Sequence, residues 1–242
     1  PPRSTPKPSS AASDVYKRQG IGRQLALDLS SYGANIILHG RNENALDALY
    51  DEIIKEFGTS PLIIKCDLSD LNENKAQEFA NAIIESYECL DGVINNAAII
   101  GKMSAISDYD YETWQKVLNV NITSSFLLTK YLLPIMEHSV NPRIIFTSSG
   151  VAEKGRAYWG AYAISKAAVK SLAEILQEEL EPVSKIKIFN FDPGKTRTSM
   201  RAFAYPAENP NDLKDAAMLL DDYLWMLSEM SNDSKIRYIK FD

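Results

Sequence analysis

Six short aliphatic runs, separated by longer stretches of helical periodicity, leave few folds open to this chain. The runs cover residues 35–39, 62–66, 92–95, 143–148, 186–191 and 236–240, and the helical patterns cover 23–32, 43–57, 74–87, 111–137, 161–180 and 212–230. Several runs have unbroken apolar centres, such as Ile36-Ile37-Leu38 and Ile144-Ile145-Phe146. A strand without a polar face must be covered on both sides, which is the condition of a parallel sheet whose connections are helices. The expected fold is α/β, a Rossmann-like doubly wound parallel sheet. With 242 residues, no internal repeat and no long Gly/Ser linker past residue 20, a single domain is the simplest organisation.

The first nineteen residues break the alternation. Pro, Ser and basic residues dominate there, and Val15 is the only aliphatic side chain larger than alanine. Such a stretch is not expected to provide the central strand that feeds the first glycine turn, and without that strand its neighbours would each present a row of unpaired backbone groups. Residues 1–19 are therefore read as a non-native or disordered leader, with Asp14-Val15-Tyr16-Lys17-Arg18-Gln19 resembling translated adapter sequence. Residues 20–242 are read as the folded domain, its first strand missing or replaced.

A formal charge of −6 gives nucleic acid no basic field to answer. No stretch reaches the roughly 20 apolar residues that span a bilayer, and the start lacks the apolar centre of a signal peptide. A cytoplasmic protein is expected, with neither nucleic acid nor membrane as partner. Cys66 and Cys89 stand near a strand end and a helix end. Two free thiols suit a reducing compartment better than a disulfide, and their spacing predicts no metal site.

Gly20-Ile21-Gly22 opens the first helical pattern. Backbone amides and the positive helix end would there meet a pyrophosphate, with glycine allowing the close approach; a plain tight turn is the other reading. The following strand ends in His39-Gly40-Arg41-Asn42. A carboxylate at that point would take an adenosine ribose hydroxyl, whereas Arg41, with Asn42 beside it, suits a 2′-phosphate, so NADP is expected over NAD. His39 reads as a strand side chain and His138 as structural. Further on, Asn119 and Asn121 sit inside an apolar helical run, where asparagine competes for backbone bonds and is locally unfavourable; a role or a helix distortion would account for them.

Tyr162 and Lys166 are four residues apart and share a helix face, while Ser149 ends the strand before. A phenol beside an ammonium in a partly dry site is expected to lose its proton more readily, and a serine hydroxyl can bond an oxygen on which charge develops. These residues suit proton transfer to a carbonyl or from an alcohol.

In this order, from residue 20 onward, the chain resembles the short-chain dehydrogenase/reductase family. The family's glycine turn survives as Gly20-Ile21-Gly22, its earliest glycine falling at Tyr16; Asp67-Leu68 is similar to the adenine-contacting strand end, and Asn95-Asn96-Ala97-Ala98 to the family's Asn-Asn-Ala-Gly, with Ala98 a departure from glycine. Asp192-Pro193-Gly194-Lys195-Thr196-Arg197-Thr198 resembles its Pro-Gly-x-x-x-Thr loop. The resemblance implies a hydride transfer between NADP(H) and a small carbonyl or alcohol substrate. It gives Asn121 a water relay, Ser149 the substrate oxygen, Tyr162 the acid/base role and Lys166 the nicotinamide ribose. It implies cofactor contacts from Gly20, Ile21, Gly22, Arg41, Asn42, Asp67, Leu68, Asn96, Ala97, Ala98, Tyr162, Lys166, Pro193, Gly194, Thr196 and Thr198. Stretches around residues 38–42, 146–149, 155–162 and 194–202 look like the YciK-type bacterial oxidoreductases within that family. Residues 199–210 are expected to form a mobile lid, with Arg201, Phe203 and Tyr205 facing the substrate or simply lying on the loop surface. A non-catalytic NADP-binding sensor or subunit on the same fold is the alternative function. Residues 111–137 and 161–180 carry more apolar surface than one sheet face covers, so a homodimer or homotetramer through these two helices is expected.

Overall fold

The computed structural model describes residues 20–234 and 238–241, and the backbone of residues 10–14. Among these, seven strands form one parallel sheet: β1 (Ser10–Asp14), β2 (Asn35–Gly40), β3 (Leu62–Lys65), β4 (Gly92–Asn95), β5 (Arg143–Thr147), β6 (Lys187–Asp192) and β7 (Tyr238–Lys240), in the order β3-β2-β1-β4-β5-β6-β7. Ile236, expected at the start of the last strand, lies outside the described residues.

The sheet corrects the expectation for the start of the chain. Strand β1 occupies the central place, pairing with β2 from Ser10 opposite Asn35 to Asp14 opposite His39, and with β4 at Ala11 opposite Gly92 and Ala12 opposite Val93. The folded domain thus begins before residue 20. Propensity argued against a strand of Ser, Ala and Asp, but a ladder is made by backbone amides and carbonyls, and two neighbours with otherwise unpaired edges favour whatever extended segment reaches them. Of the supposed leader, residues 1–9 and 15–19 lie outside the described residues.

Helices α1 (Ile21–Ser31), α2 (Glu43–Phe57), α3 (Glu73–Ser86), α4 (Tyr111–Leu118), α5 (Ser124–Met136), α6 (Gly160–Leu180), α7 (Ser199–Ala204) and α8 (Leu220–Leu227) connect the strands. Successive strand residues point to opposite faces, and the two halves of the core follow from that. Ile36, Leu38, Ile145, Phe189 and Phe191 pack with Leu25 and Leu29 of α1, Leu46 and Leu49 of α2 and Tyr223 and Met226 of α8. Ile37, Val93, Ile144, Phe146 and Ile188 pack with Phe79 of α3, Leu128 and Leu132 of α5 and Val169 and Ala173 of α6.

Two expected helices are interrupted. Between α4 and α5 the residues Asn119–Thr123 form one π-helical turn. The pattern at 212–230 resolves into a 3₁₀ turn at Ala216–Leu219, α8, and a second 3₁₀ turn at Glu229–Ser231, because Ser228 is extended and its side chain accepts from the Met230 amide to begin the last turn. Arg143, almost fully buried at the start of β5, closes the end of α8: its guanidinium donates to the Met226 carbonyl (3.1 Å), the Ser228 carbonyl (3.3 Å) and the Asn141 side chain (2.6 Å). Burial lowers this guanidinium's pKa to about 10. Among the described residues no helix is long and apolar enough to cross a membrane.

Candidate active site

All strands being parallel, their carboxyl ends lie along one edge, where a doubly wound sheet leaves a crevice. At one end of it Arg41, Asp67, Leu68, Ala97 and Ala98 line a depression together with His39, Gly40 and Cys66. Asp67 accepts from the Ser69 amide (2.9 Å), and that bond, with the nearby Arg41 charge, holds its carboxyl below the usual range. Asn42 is not brought into the depression. It caps α2, its side chain accepting from the Ala45 amide at 3.2 Å. His39 is buried edge-on against Phe79 with its pKa pushed down to about 4, which makes it a neutral strand side chain. Burial pushes the Cys66 thiol up to about 11, and Cys66 and Cys89 are not joined in a disulfide. Ala98 does not adopt positive φ, so alanine is unstrained in the place where glycine was expected.

The crevice continues to the start of α1. Gly20 is its N-cap, extended at φ −102° and ψ 155°, with no side-chain cap and no acidic residue in the first turn. By contrast α2, α3 and α4 are capped by Asn42, Asn72 and Asp110. An eleven-residue helix whose positive end is closed by none of its own side chains and opens on the crevice meets the requirement of a pyrophosphate. Tyr16, the position of the lost glycine, lies outside the described residues.

Beyond α1 a cavity of about 160 Å³ is lined by Gly20, Ile21 and Gly22 on one side and by Asn96, Ser149, Tyr162 and Lys166 on the other. Tyr162 and Lys166 therefore emerge on the same face of α6. Ser149 sits near enough to the Tyr162 phenol to favour its ionised form, and Lys166 Nζ lies 5.9 Å from the Tyr162 ring centroid while donating to the Thr147 carbonyl at 2.6 Å. Burial pushes the Tyr162 phenol up to about 12, Ser149 opposing and the Asp192 carboxylate reinforcing it. Burial brings the Lys166 ammonium down to about 8 against the pull of Asp192. The expected lowering of the phenol by Lys166 is thus reversed: the amine is spent on a carbonyl, desolvation dominates, and the phenol keeps its proton at neutral pH.

Asn121 is buried in the π-helical turn and does not line the cavity. Its Oδ1 accepts from the Ile99 amide (2.8 Å), and its Nδ2 donates to the Ile99 carbonyl (3.0 Å) and to Ser165 Oγ (2.9 Å). It ties the loop after β4 to α6. Asn96 accepts from the Thr147 hydroxyl (3.3 Å), joining β4 to β5 beside the cavity. Pro193, Gly194, Thr196 and Thr198 line it too. The hydroxyls of the last two turn to the backbone, Thr196 donating to the Pro193 carbonyl (2.9 Å) and Thr198 capping α7 through the Arg201 amide (3.1 Å). Of the three undecided lid residues, Arg201 and Tyr205 line the cavity and Phe203 is exposed.

Asp192, in sequence only the first residue of a loop, lines the cavity and is buried. Its Oδ1 accepts from the Gly194 amide (2.9 Å), and its Oδ2 lies 3.5 Å from the Tyr238 hydroxyl. An acid directly after the strand pattern Ile186-Lys187-Ile188-Phe189-Asn190-Phe191 was the available signal. Trp159, at the N-terminus of α6, lines the cavity as well and had no signal beyond being aromatic.

Comparison with known proteins agrees with this arrangement. Residues 17–209 match the model of the short chain dehydrogenase family. The oxidoreductase YciK of Escherichia coli K12 is 39% identical over 212 residues, covering 88% of this chain and 83% of that protein. A short chain dehydrogenase of Shigella flexneri 2a complexed with NADP is 35% identical, with a TM-score of 0.90 over 96% of this chain and 95% of that one. One from E. coli CFT073 complexed with NADPH is 36% identical, with the same TM-score and the same coverage.

Proposed function

The chain belongs to the short-chain dehydrogenases, a family of oxidoreductases, and from that premise we propose that it moves a hydride between NADP(H) and a carbonyl or alcohol, with Tyr162 as the acid/base. The observation that carries this reading is the convergence of Ser149, Tyr162 and Lys166 on one cavity at the carboxyl edge of the sheet, beside the uncapped start of α1. When bound, the dinucleotide supplies or accepts the hydride. Gly20, Ile21 and Gly22 would take its pyrophosphate, Arg41 the 2′-phosphate, and Asn96, Lys166, Pro193 and Gly194 the nicotinamide end. The NADP and NADPH complexes of the two relatives support the phosphorylated cofactor.

The phenol that keeps its proton at neutral pH is ready to give it to a substrate oxygen, which fits carbonyl reduction. Ser149, lining the same cavity beside the phenol, is placed to donate to the same oxygen as charge builds on it. Lys166, held by the Thr147 carbonyl, keeps a positive charge in the floor of the cavity.

Replacing the phenol tests the reading against a protein that only binds the cofactor. Tyr162→Phe should lower kcat for NADPH-dependent carbonyl reduction by at least about a hundredfold while leaving NADPH affinity, followed by its fluorescence, nearly unchanged. Equal rates in the two proteins would remove the catalytic assignment.

A further inference from the structure

Ile100, Trp159, Met200 and Ala204 form an apolar cluster around Tyr162, and with Tyr205 they line the cavity. Its aromatic rings form a chain: Trp159 lies 5.7 Å from Tyr162 and 5.8 Å from Tyr205, centroid to centroid, both tilted. Beyond Tyr205 the Arg201 guanidinium stacks over the ring at 3.8 Å. That guanidinium is held by Glu208 through two bonds, of 2.6 and 2.7 Å, so its fork is turned onto a carboxylate. Lys166 and Asp192, in the floor, are of opposite sign and balance each other. Among the described residues that line the cavity these are the charged groups: Arg201 is paired with Glu208, Lys166 donates to the Thr147 carbonyl, and the Asp192 charge acts on Lys166.

Resting on the oxidoreductase reading, we infer that the substrate of this site is a flat, uncharged aryl aldehyde or ketone lying against Trp159 and Tyr205, and not a keto acid or another carboxylate-bearing carbonyl. Stacking on two rings favours an aromatic partner, and a paired arginine offers a carboxylate nothing that would repay its lost hydration. In the reaction the hydride from the dihydronicotinamide forms a C–H bond at the carbonyl carbon, the C=O π bond breaks, and the oxygen takes the Tyr162 proton. The aryl carbonyl is reduced to an alcohol and NADPH is oxidised to NADP⁺.

The test compares 2-naphthaldehyde, benzaldehyde, 4-carboxybenzaldehyde and pyruvate as substrates, together with calorimetric binding of 2-naphthylmethanol in the presence of NADP⁺. The expected result is a kcat/KM for 2-naphthaldehyde at least tenfold above that for pyruvate. Tyr205→Ala and Trp159→Leu should each raise its KM, and weaken naphthylmethanol binding, by about tenfold. Glu208→Gln, which unlocks Arg201, should narrow the preference for benzaldehyde over 4-carboxybenzaldehyde. A preference for pyruvate, or naphthylmethanol binding indifferent to both aromatic substitutions, overturns the inference. If no carbonyl oxidises NADPH, the oxidoreductase reading is what has failed, and the binding measurement still decides for or against an aromatic-selective pocket.

Discussion

At the scale of single residues, the site is governed by desolvation more than by its ion pairs. Lys166 would ordinarily stay protonated far above neutrality, and burial brings it to about 8, within the range an assay can reach. The Asp192 carboxylate works against that fall and also against ionisation of Tyr162. The groups facing it are Lys166 and Tyr162 from α6, Tyr238 from β7 at 3.5 Å, and the Gly194 amide of its own loop at 2.9 Å. The sign follows: removing the carboxylate destabilises the ammonium, so Lys166 should lose its proton at lower pH. Since kcat/KM for NADPH reports groups in the free enzyme, its alkaline limb, expected near pH 8, should move down by about one unit in Asp192→Asn. A purely structural loss would depress the whole profile and leave the limb where it was. Tyr162→Phe should keep the Lys166 limb in cofactor binding, which separates the two groups.

At the scale of elements, strands and most helices were legible because unbroken aliphatic runs and 3.6-residue periodicity are local properties. The interruptions were not. The π-helical turn at Asn119–Thr123 is accompanied by bonds from Asn121 to Ile99 and Ser165, partners far away in the chain, and the sequence offered only the cost of two asparagines as a hint. The end of α8 depends in the same way on Arg143, a residue that reads in sequence as the polar start of a strand. Its guanidinium satisfies carbonyls at the close of that helix which have no partner within it. Arg143→Met keeps the bulk and removes the donors, leaving the Met226 and Ser228 carbonyls only their bonds from Ser231, and should lower unfolding stability by about 2–4 kcal/mol. Urea titration checks it: the midpoint should fall with an unchanged slope, and an unmoved midpoint would mean that these carbonyls find other donors.

At the scale of the whole molecule, the strand that the sequence concealed was the central one. Pairing of Ser10–Asp14 between β2 and β4 is decided by neighbours that are distant in sequence, and no local property of that segment announces it. Association follows a similar logic in reverse, since the sheet covers one side of each helix and leaves the other to be read. On the layer formed by α4, α5 and α6, Tyr111, Phe126, Ile164 and Ile175 are exposed, the two on α6 at 47% and 51%. Isolated apolar side chains on a surface are ordinary, but four on adjoining helices form a face that a second copy of the chain can cover about a two-fold axis. Light scattering at micromolar concentration should therefore give a mass of at least twice the 27.0 kDa of one chain. Phe126→Glu combined with Ile175→Glu should bring it to a single chain while NADPH binding persists, because neither side chain lines the cofactor crevice. A wild-type mass of one chain would show that this face stays in water, and an assembly surviving both glutamates would place the interface elsewhere.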